Sequence, residues 1–392
     1  MIHVNEARKL LASECSHTEI EEVSLYKAMG RFCAEDMISP IDMPHFNQSA
    51  MDGYALRFED LEEGKKLYIE GEIQAGTTLI SPLDPNNCIR VFTGGQIPEG
   101  ADTVIMQEKV EASDKHIIVQ DEKISAGANV RPLGSQTKAG ETVLQSGSRL
   151  SPSAASFLAG LGFEFIPVHK RPTVDIVVTG NELIRPPQEL KAGKIFESNS
   201  YSLKNALLQI GLDDVRIRKA IDVKQDVLEK FKNGLTANVL IVTGGVSVGK
   251  YDLVTECLEE LGVEKIFHGV LQKPGKPFFF GKKGNTMVFG LPGNPGSVMS
   301  CYYLYVQKAI QIMMGARLSF LPKLKLPISS DYEKKAGRAE FVKAQISGQS
   351  VSALSHQHSY KMNSFAVADC LIELDAHQSS VARGTLVDVH LI

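Results

Sequence analysis

The sequence has few of the features that would place it at a glance. Its six cysteines (Cys15, Cys33, Cys88, Cys257, Cys301 and Cys370) are scattered through 392 residues with no CxxC pair. A disulfide framework or zinc site is therefore not expected, and a reducing cytoplasm fits. There is no basic excess: 42 Lys and Arg stand against 46 Asp and Glu, for a net charge of −4. A nucleic-acid partner, which would call for a basic stripe, is not expected. Local loops matter more than net charge, so small anionic ligands stay compatible with this balance. No long apolar run is present either. The most apolar helical stretch, near 296–314, is broken by Gln307, Lys308 and Gln311, so no membrane span is expected. The opening MIHVNEARKLL carries charge every few residues and lacks the apolar core of a signal peptide. No internal repeat or low-complexity tract is evident. The expectation is a soluble intracellular protein of about two to four domains.

What is present is organised around NVLIVTGGVSVGKYD, Asn238 to Asp252. Val239 to Val242 is a continuous apolar run, the pattern of a strand buried on both faces. Thr243, Gly244 and Gly245 end it, Gly249 follows, and helical spacing resumes at Leu253, Cys257, Leu258 and Leu261. Strand, glycine-rich loop and helix in that order place backbone N–H groups where an anion can sit. Gly244-x-x-x-x-Gly249-Lys250 meets most of the mononucleotide P-loop pattern, but Tyr251 replaces the magnesium-binding Ser or Thr. Asp252 suits a helix N-cap as well as a catalytic role.

The rest of the chain reads as a multidomain α/β and β protein. An amphipathic helix is expected over 3–15 and a second helical piece near Leu25–Met29. Residues 1–40 and 133–171 form a discontinuous N-terminal domain, with a helix opened by Ser151-Pro152. Residues 41–132 read as an inserted small β-rich domain of short alternating strands broken by Gly, Pro and Asn. From 172 to 318 strands alternate with helices, which implies a doubly wound parallel sheet. Residues 319–392 carry short strands and polar turns, a small C-terminal β-barrel.

Three carboxylates, Asp52, Glu182 and Asp252, lie in glycine-containing loops. Carboxylates beside anion-binding loops suit magnesium, which bridges protein and phosphate oxygens. Lys273 and Lys276, around a Pro-Gly turn, could neutralise charge on a phosphoryl group. Asn294 in LPGNP is a candidate N-cap for the helix starting at about Pro295, whose N-terminus offers free donors. His356-x-His358 could place two rings on one strand face, with no third ligand nearby.

SAMDGYA (Ser49 to Ala55), FTGGQIPEGAD, VTGNEL, GGVSVG followed by Asp252, KPGKPF and LPGNP occur here in this order. Together they resemble the molybdopterin molybdotransferases, the family of MoeA and the gephyrin E-domain, over essentially the whole chain. The resemblance implies a four-domain architecture with a MogA/MoaB-like α/β domain. It implies Mg2+-dependent insertion of molybdate into adenylylated molybdopterin, with release of AMP and molybdenum cofactor. It also implies a homodimer in which loops of one subunit complete the site of the other, with other molybdenum cofactor biosynthesis proteins as candidate partners. Carried over, Asp52, Glu182 and Asp252 would bind metal or molybdate, or position water. Thr93, Gly244, Gly245, Ser247, Gly249, Lys273, Lys276, Pro292 and Pro295 would line the cleft, and Ser359 would help close it. The chain departs from the family at Ser135-Gln136 in place of Glu-Asp, at Asn181 in place of Asp, and at Gly269 in place of a basic residue. Those departures leave two alternatives: a paralogue that binds the pterin without turnover, and an adenylyltransferase using Mg-ATP.

Overall fold

A computed structural model describes residues 1–77, 81–246, 253–317 and 323–392. The chain divides into two compact units. One comprises Met1–Glu35, Ser146–Ser151 and Phe165–Ile392, and the other Asp36–Gln145 and Pro152–Glu164.

The larger unit is built on a six-stranded sheet. Its strand order is Val215–Ala220, Val174–Thr179, Val239–Thr243, Thr286–Leu291, Phe279–Lys283 and Glu264–His268. Because side chains alternate along a strand, each apolar run feeds two cores. Ile176, Val178 and Ile241 pack with Leu203 and Leu207 of the helix Asn199–Gln209 on one face. Val177, Leu240 and Val242 pack with Phe231 and Val254 on the other. Double-sided burial is why these strands read as continuous hydrophobic runs. The first four strands are parallel, as the alternation of strands and helices implies. The last two are joined by antiparallel pairing, so Phe279–Lys283 runs against the other strands, which differs from an all-parallel sheet. The physical reason is the Gly284-Asn285 link between Phe279–Lys283 and Thr286–Leu291: a two-residue connection can join only antiparallel neighbours.

The helix Val4–Glu14 buries Val4, Ala7 and Leu11 in the first of these cores. The helical piece expected at Leu25–Met29 is absent. Ile20–Ser24 is instead a strand paired with Phe165–His169, followed by turns in which Lys27 N donates to Ser24 O and Ala28 N to Leu25 O. Five residues fixed between paired segments are too few to nucleate a helix. The helical run after Pro295 passes through a π-helical turn at Tyr302–Val306. Among the described residues no helix is long and apolar enough to cross a membrane.

The C-terminal strands Lys323–Pro327, Ala339–Ser347, Ser350–Ala353, Cys370–Leu374 and Leu386–Leu391 form one sheet. A bridge from Ile328 to Val351 joins its two ends, closing the expected barrel around Val342, Ile372, Val381 and Val389. The short strand Gln272–Lys273 adds to the edge of Ala339–Ser347. That pairing anchors the lysine-bearing turn of the α/β domain to the barrel.

The smaller unit has its own six-stranded sheet, ordered Thr103–Met106, Gly53–Leu56, Asn87–Val91, Lys66–Ile73, His116–Val119 and Val110–Ala112. Short ribbons pair Gln48–Ser49 with Val130–Arg131 and Met37–Ile38 with Thr142–Leu144. The helix Pro152–Gly160 begins at the expected proline.

Candidate functional site

In the larger unit Val174–Thr179 lies between Val215–Ala220 and Val239–Thr243 in the sheet. The connections leaving it and Val239–Thr243 therefore diverge to opposite faces, and the crevice between these strand ends is where open α/β sheets take ligands. The two strand ends nest tightly. Gly244 has φ +87°, and a Cβ there would stand 2.4 Å from Thr179 O, so only glycine lets the loop turn against its neighbour. Gly180 has φ +144°, and the Glu182 carboxylate folds back over it, 2.8 Å from where a Cβ would be. Gly245 follows in the same turn with φ +63°. Ser247, Gly249 and Asp252 lie outside the described residues.

Asn181 makes a reciprocal link across the strand ends. Its backbone N donates to Asp222 Oδ2 at 3.0 Å, and its Oδ1 accepts from Asp222 N at 3.1 Å. The neutral amide thus holds the loop while a carboxylate persists at Asp222, a residue that the motifs did not single out. Gly269, another departure, has φ +89° and its carbonyl accepts from Ile2 N at 3.1 Å.

A cleft of about 570 Å³ opens over these loops, lined by Thr179, Glu182, Asn199, Gly244, Pro292 and Pro295 among others. A second cleft of about 520 Å³ is lined by Lys273, Lys276, Arg338 and Ser359 among others. The two share Pro277, Pro292 and Asn294, so they form one trough. The structure thus brings Glu182, Gly244, Lys273, Lys276, Pro292, Pro295 and Ser359 around a common space. Arg338, an exposed residue in the turn after Lys334-Lys335, was not legible as part of it. Nothing in a surface turn of mixed charge says which cleft it borders.

The lysine turn is held from beneath. Gln272 is fully buried, and its Nε2 donates to Pro274 O at 3.0 Å and Gly275 O at 3.4 Å. Its Oε1 accepts from Tyr305 OH. Lys273 Nζ is 2.8 Å from Glu340 Oε1, which leaves Lys276 and Arg338 as cations in the trough with no ion-pair partner among the described residues. Asn294 stands at the expected N-cap position, but its side chain makes no capping bond. Its Nδ2 donates instead to Ser359 Oγ at 3.0 Å, while Gly296 N donates to Ser359 O at 2.8 Å. A barrel loop thus takes over the accepting role that the asparagine was expected to play.

That loop is fixed by Lys343, whose buried ammonium donates to the carbonyls of His356, His358 and Lys361 at 3.0, 3.3 and 3.1 Å. His356 and His358 are consequently in a loop, not on a strand. The His358 ring stacks on Tyr360 with 5.5 Å between centroids, and the ring pair that a strand spacing would have allowed does not form.

In the smaller unit the structure pairs Asp52 with Thr93. Asp52 Oδ1 accepts from both Thr93 N and Thr93 Oγ1 at 2.8 Å. The backbone bond, then the hydroxyl bond, hold the carboxyl below its ordinary value. The Asp-Gly sequence therefore marks the entry to the strand Gly53–Leu56 with a preset anion. Gln136 borders a separate pocket of about 570 Å³ with Met43, Ser153, Ser156 and Phe157. Among the described residues no group of three or more His, Cys, Asp or Glu is placed to hold a metal.

Comparison with known proteins agrees along the chain. Residues 2–162 match the family model "MoeA N-terminal region (domain I and II)", 175–312 match "Probable molybdopterin binding domain", and 325–392 match "MoeA C-terminal region (domain IV)". A molybdopterin molybdenumtransferase of Haemophilus influenzae is 33% identical, with 99% of this chain and 98% of that protein covered. One from Synechocystis is 30% identical, covering 98% of each. A crystal structure of the molybdopterin biosynthesis MoeA protein of Pyrococcus horikoshii superposes over 100% of both chains at 30% identity with a TM-score of 0.87. Motif order, strand-end geometry and full-length similarity lead to one assignment: the chain belongs to the MoeA family of molybdopterin molybdenumtransferases.

Proposed function

We propose that this protein is a transferase of molybdenum cofactor biosynthesis that inserts molybdate into adenylylated molybdopterin and releases AMP and the finished cofactor. The observation that carries this reading is the continuous trough. One end is a glycine-rich strand-end crevice with a carboxylate, Glu182, and the other is lined by Lys273, Lys276 and Arg338. A nucleotide-linked pterin and an oxyanion need those two environments side by side.

In this reading Gly244 and Gly245, with Ser247 and Gly249, cradle the pyrophosphate through backbone N–H groups. Pro292, Pro295 and Ser359 shape the surrounding walls, joined by Thr93 of the partner subunit. Lys276 and Lys273 hold the molybdate and the phosphoryl charge by electrostatic attraction. Asp52, Glu182 and Asp252 position the water that cleaves the pyrophosphate or hold the metal. Glu182, exposed beside the crevice, supplies hard carboxylate oxygens that suit Mg2+, an ion commonly bound through one or two carboxylates plus substrate phosphates. Bound there, magnesium would neutralise charge on the pyrophosphate. The working form is a homodimer in the cytoplasm, in which Asp52 of the partner subunit serves the cleft, and other proteins of the same pathway deliver or accept its ligands.

The test is AMP release from purified protein given adenylylated molybdopterin, magnesium and molybdate. Release should rise with molybdate and disappear in Glu182→Ala. Tight binding without release in the unmodified chain would instead make it a non-catalytic relative.

A further inference from the structure

Asn199 is the first residue of the helix Asn199–Gln209 and is only 8% exposed. Its Nδ2 donates to Gly293 O at 2.9 Å and approaches Thr243 Oγ1 at 3.5 Å. Its Oδ1 has no hydrogen-bond partner. The amide orientation is fixed by chemistry, because turning it over would set two acceptor oxygens against each other at Gly293. Among the described residues, Asn199 Oδ1 is the one buried, unpartnered side-chain atom that belongs to a residue lining either half of the trough. A buried acceptor without a donor is costly, and such an atom in a cleft calls for an explanation.

The surroundings say what kind of donor would satisfy it. The cleft walls beside Asn199 include Leu183, Phe196, Val246, Pro292 and Pro295, flat apolar surfaces suited to the face of a planar ring. A deprotonated phosphate or a molybdate ion carries acceptors only, so neither satisfies Oδ1. The lysine and arginine half of the trough is the place for those. We propose that Asn199 reads the heteroaromatic base of the ligand: its Oδ1 accepts a hydrogen bond from an exocyclic amino group on the ring edge. The proposal rests on the functional reading above, and it divides the trough into a base-reading end at Asn199 and an oxyanion end at Lys276 and Arg338. Two rings of the expected substrate carry such a donor, the adenine through its amino group and the pterin through its 2-amino group.

The experiment measures binding of four ligands to the full chain by calorimetry. They are AMP, the purine riboside monophosphate that lacks the amine, pterin, and lumazine, in which a carbonyl replaces the 2-amino group. The unmodified protein should prefer the amine-bearing member of one pair by at least about tenfold. In Asn199→Leu that preference should collapse toward unity. Collapse in the AMP pair assigns the contact to adenine, and collapse in the pterin pair assigns it to the pterin. Equal weakening of all four ligands in Asn199→Leu, or discrimination that does not change, overturns the proposal and leaves Asn199 as a tie to Gly293. Should Asn199→Leu fail to fold, loss of discrimination in Asn199→Ser decides in its place. Failure of the unmodified chain to bind any of the four overturns the functional reading itself.

Discussion

Asn181 shows how one amide can keep a loop in place while giving up a charge. Its two contacts with Asp222 at 3.0 and 3.1 Å use a backbone N–H and a side-chain oxygen, and an aspartate could make both. Replacing it should therefore preserve the loop and change the electrostatics. In Asn181→Asp two carboxylates would face each other beside Glu182, a like-charge arrangement that disfavours ionisation and favours a bound cation. The expected outcome is a melting temperature lower by a few degrees in chelator, roughly the effect of 1 kcal/mol. Added magnesium should restore it, with an apparent magnesium affinity several-fold tighter than that of the unmodified chain. Magnesium titrations followed by thermal unfolding check this, and superimposable curves for the two proteins would remove magnesium from this corner of the cleft. The sequence made the departure at 181 visible, because the residue stands inside the VTGNEL motif. It could not reveal Asp222 as the partner, since a carboxylate 41 residues onward in a strand-to-helix loop has no local signature.

At the scale of elements, a buried ionic cluster joins the N-terminal helix to the barrel. Arg8 of Val4–Glu14 makes a two-pronged contact with Glu373 of Cys370–Leu374, Nη1 to Oε1 at 2.9 Å and Nη2 to Oε2 at 3.2 Å. His390 Nε2 lies 2.6 Å from Glu373 Oε2, and Lys323 Nζ lies 3.0 Å from it. Burial by itself would raise the Glu373 carboxyl, but the His390 bond and the Arg8 charge outweigh it and hold the group well below the ordinary carboxylate range. A depressed folded-state value means that the contribution is complete above the unfolded value of 4.5 and fades as pH falls toward the folded one. Glu373→Gln leaves Arg8 and Lys323 without their counter-charge, and the cost at pH 7 should be about 3 kcal/mol. The stability gap between the two proteins should then narrow steadily below about pH 4.5, where the unmodified chain loses the same interaction. Thermal unfolding of both proteins from pH 7 to pH 3 reads this directly, and a gap that does not change with pH would show that the cost is one of packing. The helix itself was legible from the spacing of Val4, Ala7 and Leu11. Its charged partner was not, because periodicity reports which face is buried but not what covers it. The same limit explains Leu25–Met29, where apolar residues at helical spacing end in turns because Ile20–Ser24 is captured by Phe165–His169.

For the molecule as a whole, the glycine-punctuated strand ends were enough to locate the crevice, since the order of strands and helices sets where a switch point can fall. The barrel loop carrying Ser359, and Asn199 at a helix start, join that crevice through long-range packing that no spacing encodes. Asp52 and Thr93 belong to one compact unit, whereas Glu182 and the lysine turn belong to the other. The proposed homodimer makes a quantitative prediction from that division. A chain with Asp52→Ala keeps its own Glu182, and a chain with Glu182→Ala keeps its own Asp52, so each homodimer alone should release almost no AMP. Co-refolding equal amounts yields about half mixed dimers if pairing is random. In each mixed dimer one site combines an intact Glu182 with Asp52 of the partner subunit, while the other site lacks both. The mixture should then recover about a quarter of the unmodified specific activity. AMP release from the separated and mixed proteins measures it. Recovery requires two chains per site, whereas a mixture that stays at the parental baseline would mean that both carboxylates act within one chain.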